Sequence, residues 1–144
     1  MIAIATTVLG VLAADLALKL LLNRVTGSGL IGLGPFGQLR IVPGRLWLRQ
    51  LCRHSTCLTM WTLWVAAAGV LVIASRWLPS SAVFVGLLLG GSLSNVVEIS
   101  RRGTVSDYVC LRFWPAFNLA DLALATGAVG TLISLLFAVL ATAP

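Results

Sequence analysis

Four long apolar runs constrain this chain more than any other feature. They cover residues 2–22, 58–78, 81–97 and 119–140, and about 20 apolar residues in helical form cross a hydrocarbon core of roughly 30 Å. Inside hydrocarbon every backbone N–H and C=O must be satisfied within the protein, so runs of this length must be helices. Only 10% of the 144 residues are charged and mean hydropathy is +1.03, against about 25% charged in an ordinary soluble domain. Such a composition excludes disorder. Three cysteines are too few for a disulfide-built secreted scaffold. The expectation is an all-α membrane protein, one integral domain over residues 1–144. It would be a four-transmembrane-helix bundle with a small extramembrane β-like cradle between helices 1 and 2.

Local signals fill in that outline. The first run lacks a basic leading segment and a small-residue cleavage site and contains Asp15 and Lys19, so it reads as a retained span rather than a cleaved signal. Between the first two runs, Pro35, Pro43 and several glycines break any helix. Alternation at Leu39, Ile41, Leu46 and Leu48 within 38–51 suggests short strands or an interfacial element. The brief link around Pro79 makes the second and third runs a tight hairpin. Trp61, Trp64, Trp77 and Trp114 lie near span ends, as an aromatic belt would place them.

The net charge of +6 comes from ten Lys and Arg against four Asp and Glu. The arginines punctuate apolar runs and form no basic face with stacking or groove-reading elements, so no nucleic-acid partner is expected. Anionic headgroups of membrane lipids suit the surplus better. The first long loop carries Arg24, Arg40, Arg45, Arg49 and Arg53, which by the positive-inside rule would turn both long loops to the cytoplasm.

The few acids are the informative residues. Asp15 stands one helical turn from Lys19, a pair read most simply as a structural brace. Gly86, Gly90 and Ser94 form a small-residue ridge suited to close helix approach. Gly91, Asn95 and Glu98 share the neighbouring face as a polar stripe. Asn118 and Asp121 share a face that Ala125 and Ala128 continue, expected to lie against another small-residue helix. Asp107, from a loop, and Asp121, at a helix start, can therefore meet. Adjacent carboxylates share a proton, which lets one act as base and the other as acid; local capping by each Asp is the alternative. No cofactor is called for. Cys52, His54 and Cys57, with Cys110 elsewhere, lack the paired spacing of a zinc site, so no metal is expected. A Cys52–Cys57 disulfide stays open if that loop is extracellular. The stretch 90–94 fails as a nucleophile elbow at its last position.

Three segments carry a resemblance. Gly90-Gly91-Ser92-Leu93-Ser94-Asn95-Val96-Val97-Glu98, then Arg102-Gly103-Thr104-Val105-Ser106-Asp107-Tyr108, then Pro115-Ala116-Phe117-Asn118-Leu119-Ala120-Asp121 resemble the signature blocks of lipoprotein signal peptidases, the type II signal peptidases. That family's pattern runs approximately G-G-[AS]-x-[GS]-N-x-x-D-R, G-x-V-x-D-[FY] and F-N-x-A-D. Asp15-x-x-x-Lys19 resembles its D-x-x-[TS]-K, and Ile41-Val42-Pro43-Gly44 resembles the start of its strand region. The resemblance implies a four-helix bundle with a cradle on the outer face of the bacterial inner membrane, opposite to the side the loop arginines favour. It implies a catalytic dyad at Asp107 and Asp121, with Asn95, Asn118, Asp15, Lys19, Glu98 and Arg102 in support. The implied reaction is aspartic endoproteolysis of diacylglyceryl-modified prolipoproteins just before the lipidated cysteine. Two positions depart from the pattern: Glu98-Ile99 replaces Asp-Arg, and Arg53-His54-Ser55-Thr56-Cys57-Leu58 stands where the family has N-x-G-A-A-F. These departures keep a second reading open, a catalytically silent subunit binding lipid or a membrane protein partner.

Overall fold

The structure, a computed structural model, describes residues 1–25, 31–32, 34–43 and 54–142. Along the chain these form α1 (Ile2–Val25), β1 (Ile31–Gly32), β2 (Gly37–Pro43), α2 (His54–Ala74), α3 (Ala82–Arg102), β3 (Ser106–Leu111) and α4 (Leu119–Thr142). Among the described residues, four segments are long and apolar enough to cross a membrane: Ile2–Val25, Cys57–Ala74, Pro79–Arg102 and Leu119–Thr142. The third outlasts its expected end at Val97 by more than a turn. Glu98 does not stop the helix because its charge is answered inside the protein, by Lys19 at 2.8 Å. The stop comes at Gly103, whose φ of 73° is left-handed and whose N–H returns to Ile99 O at 2.8 Å.

Helix α3 is the axis of the bundle, and its glycines explain why. Gly86 meets Ile4 and Thr7 of α1, and Gly90 meets Val8 and Val11; one ridge further on, Ser94 meets Asp15. Residue numbers rise together in both helices, so α1 and α3 run parallel. A Cβ at Gly86 would stand 2.6 Å from Thr7 Cβ, so only a residue without one permits this approach. On its other side α3 packs antiparallel to α4. Gly91 backs onto Ala120, Gly127 onto Phe84 and Leu88, and Gly130 onto the Phe84 ring. Helices in lipid gain no hydrophobic drive toward each other, so close packing through small residues supplies much of the attraction.

The buried face of α4 is Ala120, Ala123, Gly127 and Gly130. Ala125 and Ala128, expected at a helix interface, are exposed. The smallest, most closely spaced residues take the contact along the span, while Asn118 and Asp121 meet Asn95 of α3 at its cradle end. Helix α2 lies at the edge of the bundle. Its span window contains no buried residue. Two indoles attach it to α3: Trp61 Nε1 donates to Ser100 Oγ and Trp64 Nε1 to Ser92 Oγ, each at 2.9 Å. These tryptophans join helices rather than forming a belt, whereas Trp77 and Trp114 are exposed near opposite ends of the bundle.

The small sheet is antiparallel in the order β1-β2-β3. Leu39 stands opposite Val109 and Val42 opposite Asp107, with an irregularity between. Its third strand comes from the α3–α4 connection, a segment expected to be loop. Residues 44–51 of the expected alternating stretch lie outside the described residues. The sheet thus ties the two long connections together at the end where α1 and α3 finish and α4 begins.

Candidate active site

Asn118 organises the site. It is the residue before α4 and is fully buried. Its Oδ1 accepts the Asp121 N–H at 2.9 Å, and its own N–H donates to Asp121 Oδ2 at 3.3 Å, a reciprocal helix cap. This cap fixes the Asp121 side chain, and the positive end of the helix dipole favours its negative charge. The amide Nδ2 of Asn118 donates the other way, to Asp107 Oδ1 at 3.1 Å and to Ser106 O at 3.4 Å. A single side chain therefore touches strand β3 and helix α4 together. From α3, Asn95 Nδ2 donates to Asp121 Oδ1 at 3.0 Å. Asp107, Asp121, Asn95 and Asn118 are thus brought together, with both acids half-buried.

A second polar layer lies behind them. Asp15, fully buried, receives Ser94 Oγ and Lys19 Nζ at Oδ2, each at 2.6 Å. Its Oδ1 receives the Tyr108 hydroxyl at 3.2 Å and the Ala120 N–H at 3.3 Å. Lys19 continues to Glu98 Oε2 at 2.8 Å, and Glu98 Oε1 accepts Ser106 Oγ at 2.6 Å. Arg102, largely exposed, lies 3.6 Å from the same oxygen. Alternating charges make this burial tolerable, because each carboxylate has both an ion partner and hydrogen-bond donors. These four sequence-predicted residues reach the acids through β3 and the first turn of α4.

Sequence reasoning passed over Tyr108. Its hydroxyl accepts the Leu119 N–H at 2.7 Å while donating to Asp15. A usable signal existed: strand alternation turns Tyr108 away from the Asp107 side, and a buried phenol needs a partner. Burial pushes its pKa well above the ordinary tyrosine range, the Leu119 N–H works in the opposite direction, and the negative charge of Asp15 adds to the rise.

The thiols are peripheral. Cys57 and Cys110 are free, with Cys57 Sγ 3.5 Å from Ser100 Oγ and Cys110 Sγ 3.8 Å from Arg40 O. Cys52, Arg53 and the His54 side chain lie outside the described residues, and with them the disulfide and most of the departing 53–58 block. Among the described residues no group of three or more His, Cys, Asp or Glu is placed to hold a metal.

Four apolar helices and an amide-clamped pair of carboxylates at one end define the class: a multi-pass membrane protein with a two-acid site where spans meet extramembrane sheet. The family profile for Signal peptidase (SPase) II matches residues 7–137, and the chain belongs to that family. The lipoprotein signal peptidase of Pelotomaculum thermopropionicum is 40% identical over 81 residues, covering 54% of this chain and 53% of the relative. That of Syntrophomonas wolfei is 32% identical over 96 residues, covering 67% and 59%. The chain spans about half the length of the curated relatives it matches. A solved bacterial membrane enzyme superposes with a TM-score of 0.75 at 19% identity, over 97% of this chain and 91% of that one. A second gives 0.70 at 19%, over 92% of each.

Proposed function

We propose that this chain is an aspartic endopeptidase that removes the signal peptide of diacylglyceryl-modified prolipoproteins immediately before the lipidated cysteine. The observation that carries the reading is Asn118, which hydrogen-bonds Asp107 through its side chain and Asp121 through its reciprocal cap. Two carboxylates held by one residue share a proton and grip a water. One takes a proton from that water as it attacks the scissile carbonyl, while the other gives its proton to the carbonyl oxygen. As the resulting diol collapses, the second takes a proton back from a hydroxyl and the first delivers the water's proton to the leaving amine, so the C–N bond breaks and the dyad regains its single shared proton. Which of the two acts as base is a property of the dyad rather than of either residue alone. Asn95 and Asn118 orient the carboxylates, and Asp15, Lys19, Glu98 and Arg102 hold the scaffold.

The location suits a lipidated substrate. The acids lie at the cradle end of the helices, where a peptide leaving the hydrocarbon meets the headgroups. Below Asp121, the exposed Ala125 and Ala128 leave room for the apolar segment of a signal peptide. Phe113 and Trp114 beside the sheet are largely exposed, and Arg112 stands 5.6 Å from the Phe113 ring, a combination suited to lipid headgroups. In this reading the protein sits in the bacterial inner membrane with the cradle on the outer face.

The test is cleavage of a diacylglyceryl-modified prolipoprotein by purified protein in detergent. Wild type should cleave, and Asp107→Asn and Asp121→Asn should each lose about 10²–10⁴-fold in turnover, the range for a positioned acid or base, without a lower melting temperature. Folded wild type that cleaves none of several lipobox sequences would overturn the reading and point to a silent lipid- or partner-binding subunit.

A further inference from the structure

Asp107 is flanked by two hydroxyls, and both end on buried carboxylates. Ser106 Oγ donates to Glu98 Oε1 at 2.6 Å, and the Tyr108 hydroxyl donates to Asp15 Oδ1 at 3.2 Å. Lys19 bridges those carboxylates at 2.6 and 2.8 Å. Side chains alternate along a strand, so residues 106 and 108 face the bundle while Asp107 faces Asn118. The anchoring extends to the other acid. The Tyr108 hydroxyl accepts the Leu119 N–H at 2.7 Å, and Asp15 Oδ1 accepts the Ala120 N–H at 3.3 Å. Leu119 and Ala120 lie between Asn118 and Asp121. One phenol thus links the strand bearing Asp107, the helical turn bearing Asp121, and the buried Asp15.

We propose that Tyr108 is a positioning residue for the reaction, its hydroxyl setting where the two acids stand relative to each other. The proposal rests on the reading of Asp107 and Asp121 as the dyad. The family pattern allows phenylalanine at this position, so the hydroxyl is a feature of this chain that the pattern does not require. A phenylalanine would fill the same space but leave the Leu119 N–H without its acceptor and Asp15 short of a donor. The start of α4 would still be joined to β3 by Asn118 and by the backbone bridge of Phe117 to Val109, but the turn at Leu119 would lose its own tie to the strand.

The experiment compares Tyr108→Phe with Gly130→Ala. A Cβ at Gly130 would press on the Phe84 ring in the apolar part of the α3–α4 contact, so that change costs stability away from both polar layers. In the prolipoprotein assay, Tyr108→Phe should lower kcat about tenfold with KM within about twofold, as expected for misplaced reacting groups. Gly130→Ala should lower the melting temperature at least as much yet keep wild-type kcat and KM. Folded Tyr108→Phe with wild-type kcat overturns the proposal, and so does an equal loss of kcat in Gly130→Ala. Should Tyr108→Phe not fold, 3-fluorotyrosine at position 108 keeps the shape and weakens the acceptor oxygen. A lower kcat at unchanged KM and melting temperature supports the proposal; an unchanged kcat overturns it. Inactive wild type overturns the dyad reading and this proposal with it, whereas active wild type with unaffected position-108 variants overturns this proposal alone.

Discussion

The two halves of α3 are joined to the same neighbours by different means. Toward the α2–α3 hairpin, Gly86 and Gly90 admit α1, while Phe84 and Leu88 receive Gly127 and Gly130 of α4. That half is dry. Toward the cradle, Ser94, Asn95 and Glu98 meet Asp15, Asp121 and Lys19 through directed polar contacts. Small-residue packing brings helices close but is tolerant of small slides along the axis, because dispersion is spread over many weak contacts. Hydrogen bonds and ion pairs in a low dielectric accept far fewer arrangements. Placement is therefore strictest where the two acids must meet, and general closeness suffices elsewhere.

The largest expected effect breaks the polar half. Lys19→Met leaves Asp15 and Glu98 buried together without their shared cation, a change that costs about 3–5 kcal/mol when a buried pair loses one partner. Chemical unfolding from detergent micelles should show it. Next comes the dry half. At Gly127 a Cβ would lie 2.6 Å from Leu88 N and 2.7 Å from Phe84 O, backbone that cannot step aside. Gly127→Val should therefore cost about 1–3 kcal/mol, the usual range for overpacking. If Gly127→Val proves the more damaging, stability resides mainly in the dry half and the polar half serves placement alone.

A smaller effect follows from Tyr108, the only tyrosine in the sequence. Burial raises its pKa in the folded protein, so above the unfolded value of about 10 the folded state keeps a proton that the unfolded chain releases. The sign is fixed: this contribution is complete below about pH 10 and is lost as pH rises toward the folded pKa. Stability should be flat in this respect through neutral pH and fall in the alkaline range. Tyr108→Phe should remove part of that fall, and tyrosinate absorbance should appear together with unfolding rather than before it. Ionisation well ahead of unfolding would show that the phenol is less enclosed than the dry and polar halves require.

How much of this was legible in the sequence depends on whether the signal was local. The spans were, because bilayer thickness fixes their length. So were the Gly86–Gly90–Ser94 ridge and the Asp15–Lys19 pair, because helical periodicity places such residues on one face. Asn118 and Asp121 sit three apart, and their mutual capping is likewise a local matter. What escaped depended on distant partners. Glu98 extends α3 because Lys19, far away in the chain, neutralises it. Strand β3 exists because β2 lies beside it. The contact face of α4 is chosen by Phe84 and Leu88, which put Gly127 and Gly130 inward and leave Ala125 and Ala128 outside. Tyr108 gains its role only when α1 and α4 both reach it.

The smallest expected effect concerns α2, which belongs to neither half. Its attachments to α3 include two indole–serine hydrogen bonds, Trp64 to Ser92 and Trp61 to Ser100, each 2.9 Å. Trp64→Phe keeps an aromatic ring against α3 but removes one interhelical hydrogen bond. In a membrane such bonds average about 0.6 kcal/mol, because the separated helices find other partners in the same bilayer. Trp61→Phe should cost still less, since Cys57 Sγ remains 3.5 Å from Ser100 Oγ. Both variants should keep wild-type turnover, because neither indole bonds a residue of the two polar layers around the acids. A Trp64→Phe penalty as large as that of Gly127→Val would mean that α2 is part of the packed core. The contrast between a dry half and a polar half of α3 would then have to include a third, indole-bonded face.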